Sequence, residues 1–150
     1  MKQKFIEAYM DVAERFAQLS SATRLQVGAI VVKDDRIISI GYNGMPTGWD
    51  NCCDDVIRED EVGFQVTKTK AEVLHAETNA IAKLAKSGES GLGATMFVTH
   101  TPCIDCAKLV YQSGIATVYY KNDYRSTQGL EFLDKSGVEV IHHHTLEEQP

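Results

Sequence analysis

The chain has 150 residues, 43% hydrophobic and 24% charged, with a formal net charge of −6 at pH 7. Residues 1–150 therefore read as one domain able to bury a sizeable core, and the acidic balance argues against a surface that grips a nucleic-acid backbone. No apolar run approaches the roughly 20 residues of a membrane span, and the opening MKQKFIEAYMDVAERF interleaves charge with apolar residues, unlike a secretory signal, so a cytoplasmic protein without membrane or nucleic-acid partners is expected.

The first element is helical: Phe5, Tyr9, Val12, Ala13 and Phe16 fall on one face, and Ser20 and Ser21 end it. Val27 to Val32 and Arg36 to Ile40 are short β-branched runs separated by Lys33, Asp34 and Asp35, which predicts a hairpin. From Gly41 to about Lys70 the chain is dense in Gly, Asn and Asp and reads as a long loop. A helix over Ala76 to Lys86, a strand over Thr95 to Thr99 and a helix over Cys103 to Gln112 follow. The last elements are a strand over Thr117 to Tyr120, a helix over Gln128 to Lys135 and a strand over Val138 to Ile141. A hairpin followed by strand–helix alternation predicts an α/β fold: a mixed sheet covered by helices, its helix-bridged last strands parallel.

The four cysteines are Cys52, Cys53, Cys103 and Cys106, and in a reducing compartment such spacing points to metal or catalytic chemistry before disulfides. Cys103 and Cys106, three apart at a helix start, place both sulfurs on one side of the first turn, where unpaired N–H groups favour thiolates. By itself a CxxC pair serves equally as half of a structural zinc ribbon or as a redox couple. Joined to His75 it offers two thiolates and an imidazole, a three-ligand set suited to Zn²⁺ with an open fourth position. Glu77 shares a helix stripe with Ala80, Ile81 and Leu84, and a carboxylate in an apolar stripe needs a reason, since burying it unpaired is costly. His75 and Glu77 converge only if His75 sits at the non-helical entry, at about 100° per residue within the helix. Convergence would set a metal ligand beside a general acid/base. His75-Ala76-Glu77 followed by Pro102-Cys103-Ile104-Asp105-Cys106 matches the signature of zinc deaminases, in which a metal-activated water attacks an amino-bearing ring carbon.

These two motifs, together with Gly41-Tyr42-Asn43-Gly44-Met45-Pro46, resemble the deoxycytidylate deaminases over nearly the whole chain from about Ser20. The resemblance implies a three-layer α/β/α cytidine-deaminase-like fold with a mixed five-stranded sheet. It implies zinc-dependent deamination of dCMP to dUMP and ammonia, with Glu77 as the acid/base and His75, Cys103 and Cys106 as ligands. It implies a sugar contact for Asn43, a base or sugar contact for Tyr124 and a phosphate contact for Arg125, with Arg24 and neighbouring Ser21 as further substrate candidates. A homohexamer activated by dCTP and inhibited by dTTP with Mg²⁺ is also implied, the effector drawing on Gly41, Tyr42, Gly44 and Asn51.

Some members of that family hold a second, structural zinc. Ala22 stands here where one of its cysteines would fall, Cys52 matches a second position, and Thr69 stands near the expected histidine, so one ion per chain and a free Cys52 thiol are expected. Cys52-Cys53 reads as a loop pair, and His142, His143 and His144 as the polar exit of the last strand rather than a metal site. Two other classes compete: another zinc deaminase, such as one acting on tRNA adenosine, and a non-catalytic zinc-binding accessory protein. The acidic charge weighs against a large RNA, and Glu77 against a purely structural site.

Overall fold

In a computed structural model the chain is described over residues 1–144. Its elements in order are α1 (Gln3–Ala17), β1 (Gly28–Lys33), β2 (Arg36–Tyr42), β3 (Asp54–Glu59), β4 (Gln65–Thr69), α2 (Ala76–Ala85), β5 (Thr95–His100), α3 (Ile104–Gln112), β6 (Thr117–Asn122), α4 (Gln128–Lys135) and β7 (Glu139–His142). Five strands form the main sheet in the order β2-β1-β5-β6-β7. β1 pairs antiparallel with both β2 and β5, whereas β5, β6 and β7 run parallel. The turn between β1 and β2 is made by Asp34 and Asp35, at φ 51° and 58°, the paired left-handed conformation whose twist suits a two-residue hairpin.

The period-two alternation of β1 divides the core. Ala29 and Val31 face α2, α3 and α4, packing with Ala76, Ala80, Leu84, Ala107, Val110 and Leu133. Ile30 and Val32 face the other way and pack with Ile6, Met10 and Ala13 of α1 around Phe97. The result is three layers, α1 on one face of the sheet and the remaining helices on the other, as expected of the α/β/α class. Among the described residues no helix is long and apolar enough to cross a membrane.

Three sequence expectations change. The segment read as one long loop from Gly41 to about Lys70 contains a second, two-stranded sheet, the β3–β4 hairpin. Its first strand, Asp54–Glu59, is almost wholly solvent-exposed, so neither face left a hydrophobic alternation to read. On α1 the buried stripe is Ile6, Met10, Ala13 and Ala17, while Phe5 is exposed. His142 lies within β7 and stacks on Tyr120, and His143 is buried rather than part of a polar exit.

Gly41 governs how α2 meets the sheet. A Cβ there would collide with the Ala76 carbonyl oxygen and crowd the Ala80 backbone nitrogen, so α2 lies directly against β2. Gly41→Ala is expected to push the first turn of α2 outward, cost about 1–3 kcal/mol of overpacking strain and displace His75 and Glu77. A lower urea midpoint accompanied by reduced zinc content would show this; an unchanged zinc content would separate the packing defect from the site.

Candidate metal centre and substrate cavity

Two helix starts build the centre. His75 is the N-cap of α2 with extended backbone (φ −75°, ψ 154°), so its side chain leaves the helical stagger and meets groups that the helix alone would hold apart. Glu77 lies in the first turn and is buried at 4% exposure. Cys103 is the N-cap of α3, also extended, and its sulfur accepts the Cys106 backbone N–H at 3.5 Å. α3 begins at the carboxyl end of parallel strand β5, where open α/β sheets commonly receive ligands.

His75 Nδ1 is 3.2 Å from Cys106 Sγ and 3.7 Å from Cys103 Sγ, and the three donor atoms lie within 4.8 Å of one another. Tetrahedral zinc, with bonds of about 2.1 Å to nitrogen and 2.3 Å to sulfur, needs donors roughly 3.5–3.8 Å apart, so the residues present fit the ion. Cys106 is buried, Cys103 half-buried and His75 exposed, which leaves the triangle open on its cavity side.

The electrostatics are those of a ligand set sharing protons. Hydrogen bonds from the Cys106 thiol and the His75 imidazole bring the Cys103 thiol down to about 4. Cys106 is pushed well above the ordinary thiol range by donating to Cys103, by burial and by the nearby Glu77 carboxyl. The bond to Cys103 raises His75 against the effect of burial. Burial likewise raises Glu77, opposed by hydrogen bonding with the Cys106 thiol and by the charge of His75. A divalent cation would displace the shared protons.

The cavity over this centre has a volume of about 270 Å³, at the low end of small-molecule sites. Of the sequence candidates, Arg24, Asn43, Tyr124 and Arg125 line it together with His75, Glu77 and Cys103. Asn43 is buried and braces the wall: its Oδ1 accepts the Val27 N–H and its Nδ2 donates to the Leu25 carbonyl, both at 2.8 Å. The Thr101 hydroxyl accepts the Tyr124 N–H at 3.0 Å, strapping the Tyr124–Arg125 loop to the turn that carries Cys103. Arg125 sits at φ 25° with its guanidinium 5.3 Å from the centre of the Tyr124 ring.

Ser21, Gly41, Tyr42, Gly44 and Asn51 are not among the lining residues. The Ser21 hydroxyl lies 3.4 Å from Cys53 Sγ. Gly44 bridges to Leu74, and the Tyr42 carbonyl accepts from Asn79 on α2. Cys52 is exposed and free, and the thiol packed with Ala22 and Val73 is that of Cys53, not Cys52. Sequence reasoning missed Lys68, His100 and Thr101, which also line the cavity. Thr101 and His100 stand immediately before Pro102-Cys103, and that adjacency was the available signal.

A mixed sheet flanked by helices, with two helix N-termini presenting one imidazole and two thiols beside a buried carboxylate, defines a zinc-dependent deaminase domain. The chain belongs to the family described as the cytidine and deoxycytidylate deaminase zinc-binding region, whose model matches residues 3–122. It is similar to the crystal structure of a dCMP deaminase from the cyanophage S-TIM5 in complex with dCMP and dUMP, with TM-score 0.85 and 48% identity, covering 95% of this chain and 99% of that one. Relatives include ComE operon protein 2 of Bacillus subtilis, 39% identical over 88% of this chain and 67% of that protein. The deoxycytidylate deaminase of enterobacteria phage T4 is 34% identical over 88% and 86% respectively.

Proposed function

We propose that the chain hydrolyses dCMP to dUMP and ammonia in this cavity. The observation that carries the reading is Glu77, a buried carboxylate beside a donor triangle open toward solvent; a closed structural zinc site has no use for it. The likeness to the cyanophage dCMP deaminase supplies the substrate class.

His75 Nδ1, Cys103 Sγ and Cys106 Sγ would hold the zinc ion, whose Lewis acidity would lower the pKa of a water toward about 7. Glu77 takes a proton from the attacking water and passes it to the pyrimidine ring nitrogen, then delivers a proton to the departing amine. The water oxygen bonds to the amino-bearing ring carbon as the ring nitrogen is protonated; Glu77 then carries the remaining proton of the added hydroxyl to the amine, the carbonyl forms as the carbon–nitrogen bond breaks, and ammonia leaves. Tyr124 is assigned to the base or sugar and Asn43 to the sugar, while Arg24 and Arg125 are assigned to the phosphate. One zinc per chain is part of this reading: Ala22, which stands where some members carry a cysteine, packs with Cys53 and Val73 in a small apolar cluster.

Homohexamer assembly and control by dCTP and by dTTP with Mg²⁺ complete the proposal, in a cytoplasmic enzyme of nucleotide supply. The apolar side chains of Val56, Ile57, Val62 and Phe64, all exposed on the β3–β4 hairpin, support an assembly. The bonds from Tyr42 and Gly44 to Asn79 and Leu74 give an effector near Gly41–Asn51 a physical route to α2.

Incubation with dCMP should convert its ultraviolet spectrum to that of dUMP, along a sigmoidal rate curve that dCTP makes hyperbolic. A curve indifferent to both triphosphates would remove the effector control alone. Inert dCMP with deaminated tRNA would overturn the substrate, and zinc binding without turnover of either would leave a non-catalytic protein.

A further inference from the structure

Thr101 lines the cavity, and none of the assignments above uses it. It is buried at 7% exposure, directly before Pro102 and Cys103. A hydroxyl has one proton to give and lone pairs to receive, and both capacities of Thr101 go to the backbone of one residue. Its oxygen accepts the Tyr124 N–H at 3.0 Å and it donates to the Tyr124 carbonyl at 3.2 Å. Tyr124 in turn carries the Arg125 guanidinium 5.3 Å from the centre of its ring.

The turn that does the holding is itself fixed. The Thr101 N–H donates to the Asn122 carbonyl at 3.0 Å, and Asn122 Nδ2 donates back to the Thr99 carbonyl at 2.8 Å. The Thr99 hydroxyl accepts the Gly28 N–H at 3.1 Å, which ties the same turn to β1. From the other side α4 closes on it: a Cβ at Gly129 would collide with the Pro102 carbonyl oxygen. The segment from Asn122 to Gly129 is thus anchored at both ends on residues 99–102. Between the anchors Arg125 takes φ 25°. That conformation is costly for a residue with a side chain and persists only where the surroundings over-determine it. Thr101 supplies the nearer anchor, one residue away.

A cavity wall that already has its bound shape binds more tightly than one the ligand must order. We infer that the Thr101 hydroxyl is a lock that holds Tyr124 and Arg125 in place before the nucleotide arrives. Thr101 is a positioning residue: its hydroxyl is occupied by the Tyr124 backbone, and it acts through the two side chains it orders. The inference rests on the deaminase reading and adds to it a determinant outside the ligand contacts themselves.

Thr101→Val keeps the shape of the side chain and removes only the hydroxyl. It should raise KM for dCMP about 3- to 10-fold, the worth of one lost hydrogen bond, with kcat and zinc content little changed. Amide hydrogen exchange at Tyr124 and Arg125 should become faster, since local opening is what that exchange reports. Thr101→Ser should restore both properties. On an Arg125→Ala background Thr101→Val should add a smaller further rise in KM, because a residue acting through Arg125 cannot lose that contribution twice. An unchanged KM in Thr101→Val, unchanged exchange at Tyr124, or a full additional rise on the Arg125→Ala background would overturn the inference. If wild type does not turn over dCMP, the deaminase reading fails by itself, and calorimetric binding of dUMP decides the role of Thr101. A several-fold weaker Kd in Thr101→Val supports the lock; equal Kd values, or no dUMP binding by wild type, overturn it.

Discussion

Glu77→Gln is expected to reduce kcat for dCMP by about a hundred- to ten-thousand-fold, the usual worth of a positioned acid/base, with one zinc per chain still bound. The amide matches the carboxylate in size, so the buried pocket beside Ala76 and Ala80 need not repack. It also keeps hydrogen-bonding capacity toward Cys106, the group Glu77 meets in the site. What it loses is the ability to take a proton from water and give it up again. Measured metal content and single-turnover rates together decide the matter. A variant that loses its zinc would make Glu77 a structural partner of Cys106, and one that keeps its turnover would move the acid/base role elsewhere.

The centre was legible in the sequence because each of its halves is a short motif at a helix start, although the meeting of the two, 28 residues apart, is tertiary. Cys103 and Cys106 are one helical turn apart, and the extended N-cap backbone that the convergence of His75 and Glu77 requires is what α2 shows. The sheet was legible where strands are buried: Ala29 to Val32 and Met96 to Val98 are all inside, and such runs announce themselves. The β3–β4 hairpin was not, because exposed strands leave no hydrophobic period, and Lys68 vanished with it. The face of α1 was misplaced for a different reason. A Cβ on Gly28 would collide with the Ala13 carbonyl oxygen, so α1 approaches β1 through small residues. Ala13 and Ala17 take the closest positions and carry little hydrophobic weight, while the larger Phe5 is left exposed. Asn43 shows the same limit from the polar side. The resemblance implies a sugar contact for it, whereas its bonds to Val27 and Leu25 across the loop arise only from tertiary packing.

Cys106→Ala is expected to abolish zinc binding and all detectable deamination, and to lower stability as well. The sulfur is buried at 1% exposure and joins Cys103, His75 and Glu77 in one hydrogen-bonded cluster. Truncating it opens a small void and deprives the Glu77 carboxyl of a partner, and an unsatisfied buried polar group costs about 1–3 kcal/mol. Loss of the ion removes a further contribution, because a metal bound only by the folded chain stabilises it by mass action. Comparison with chelator-treated wild type separates the two effects. If the centre is as described, apo wild type melts below the holoprotein and Cys106→Ala melts lower still, with no response to added zinc. A variant that melts with apo wild type would confine the role of Cys106 to metal binding. One that still takes up zinc at full occupancy would remove Cys106 from the ligand set, and with it the three-donor centre on which the proposed chemistry depends.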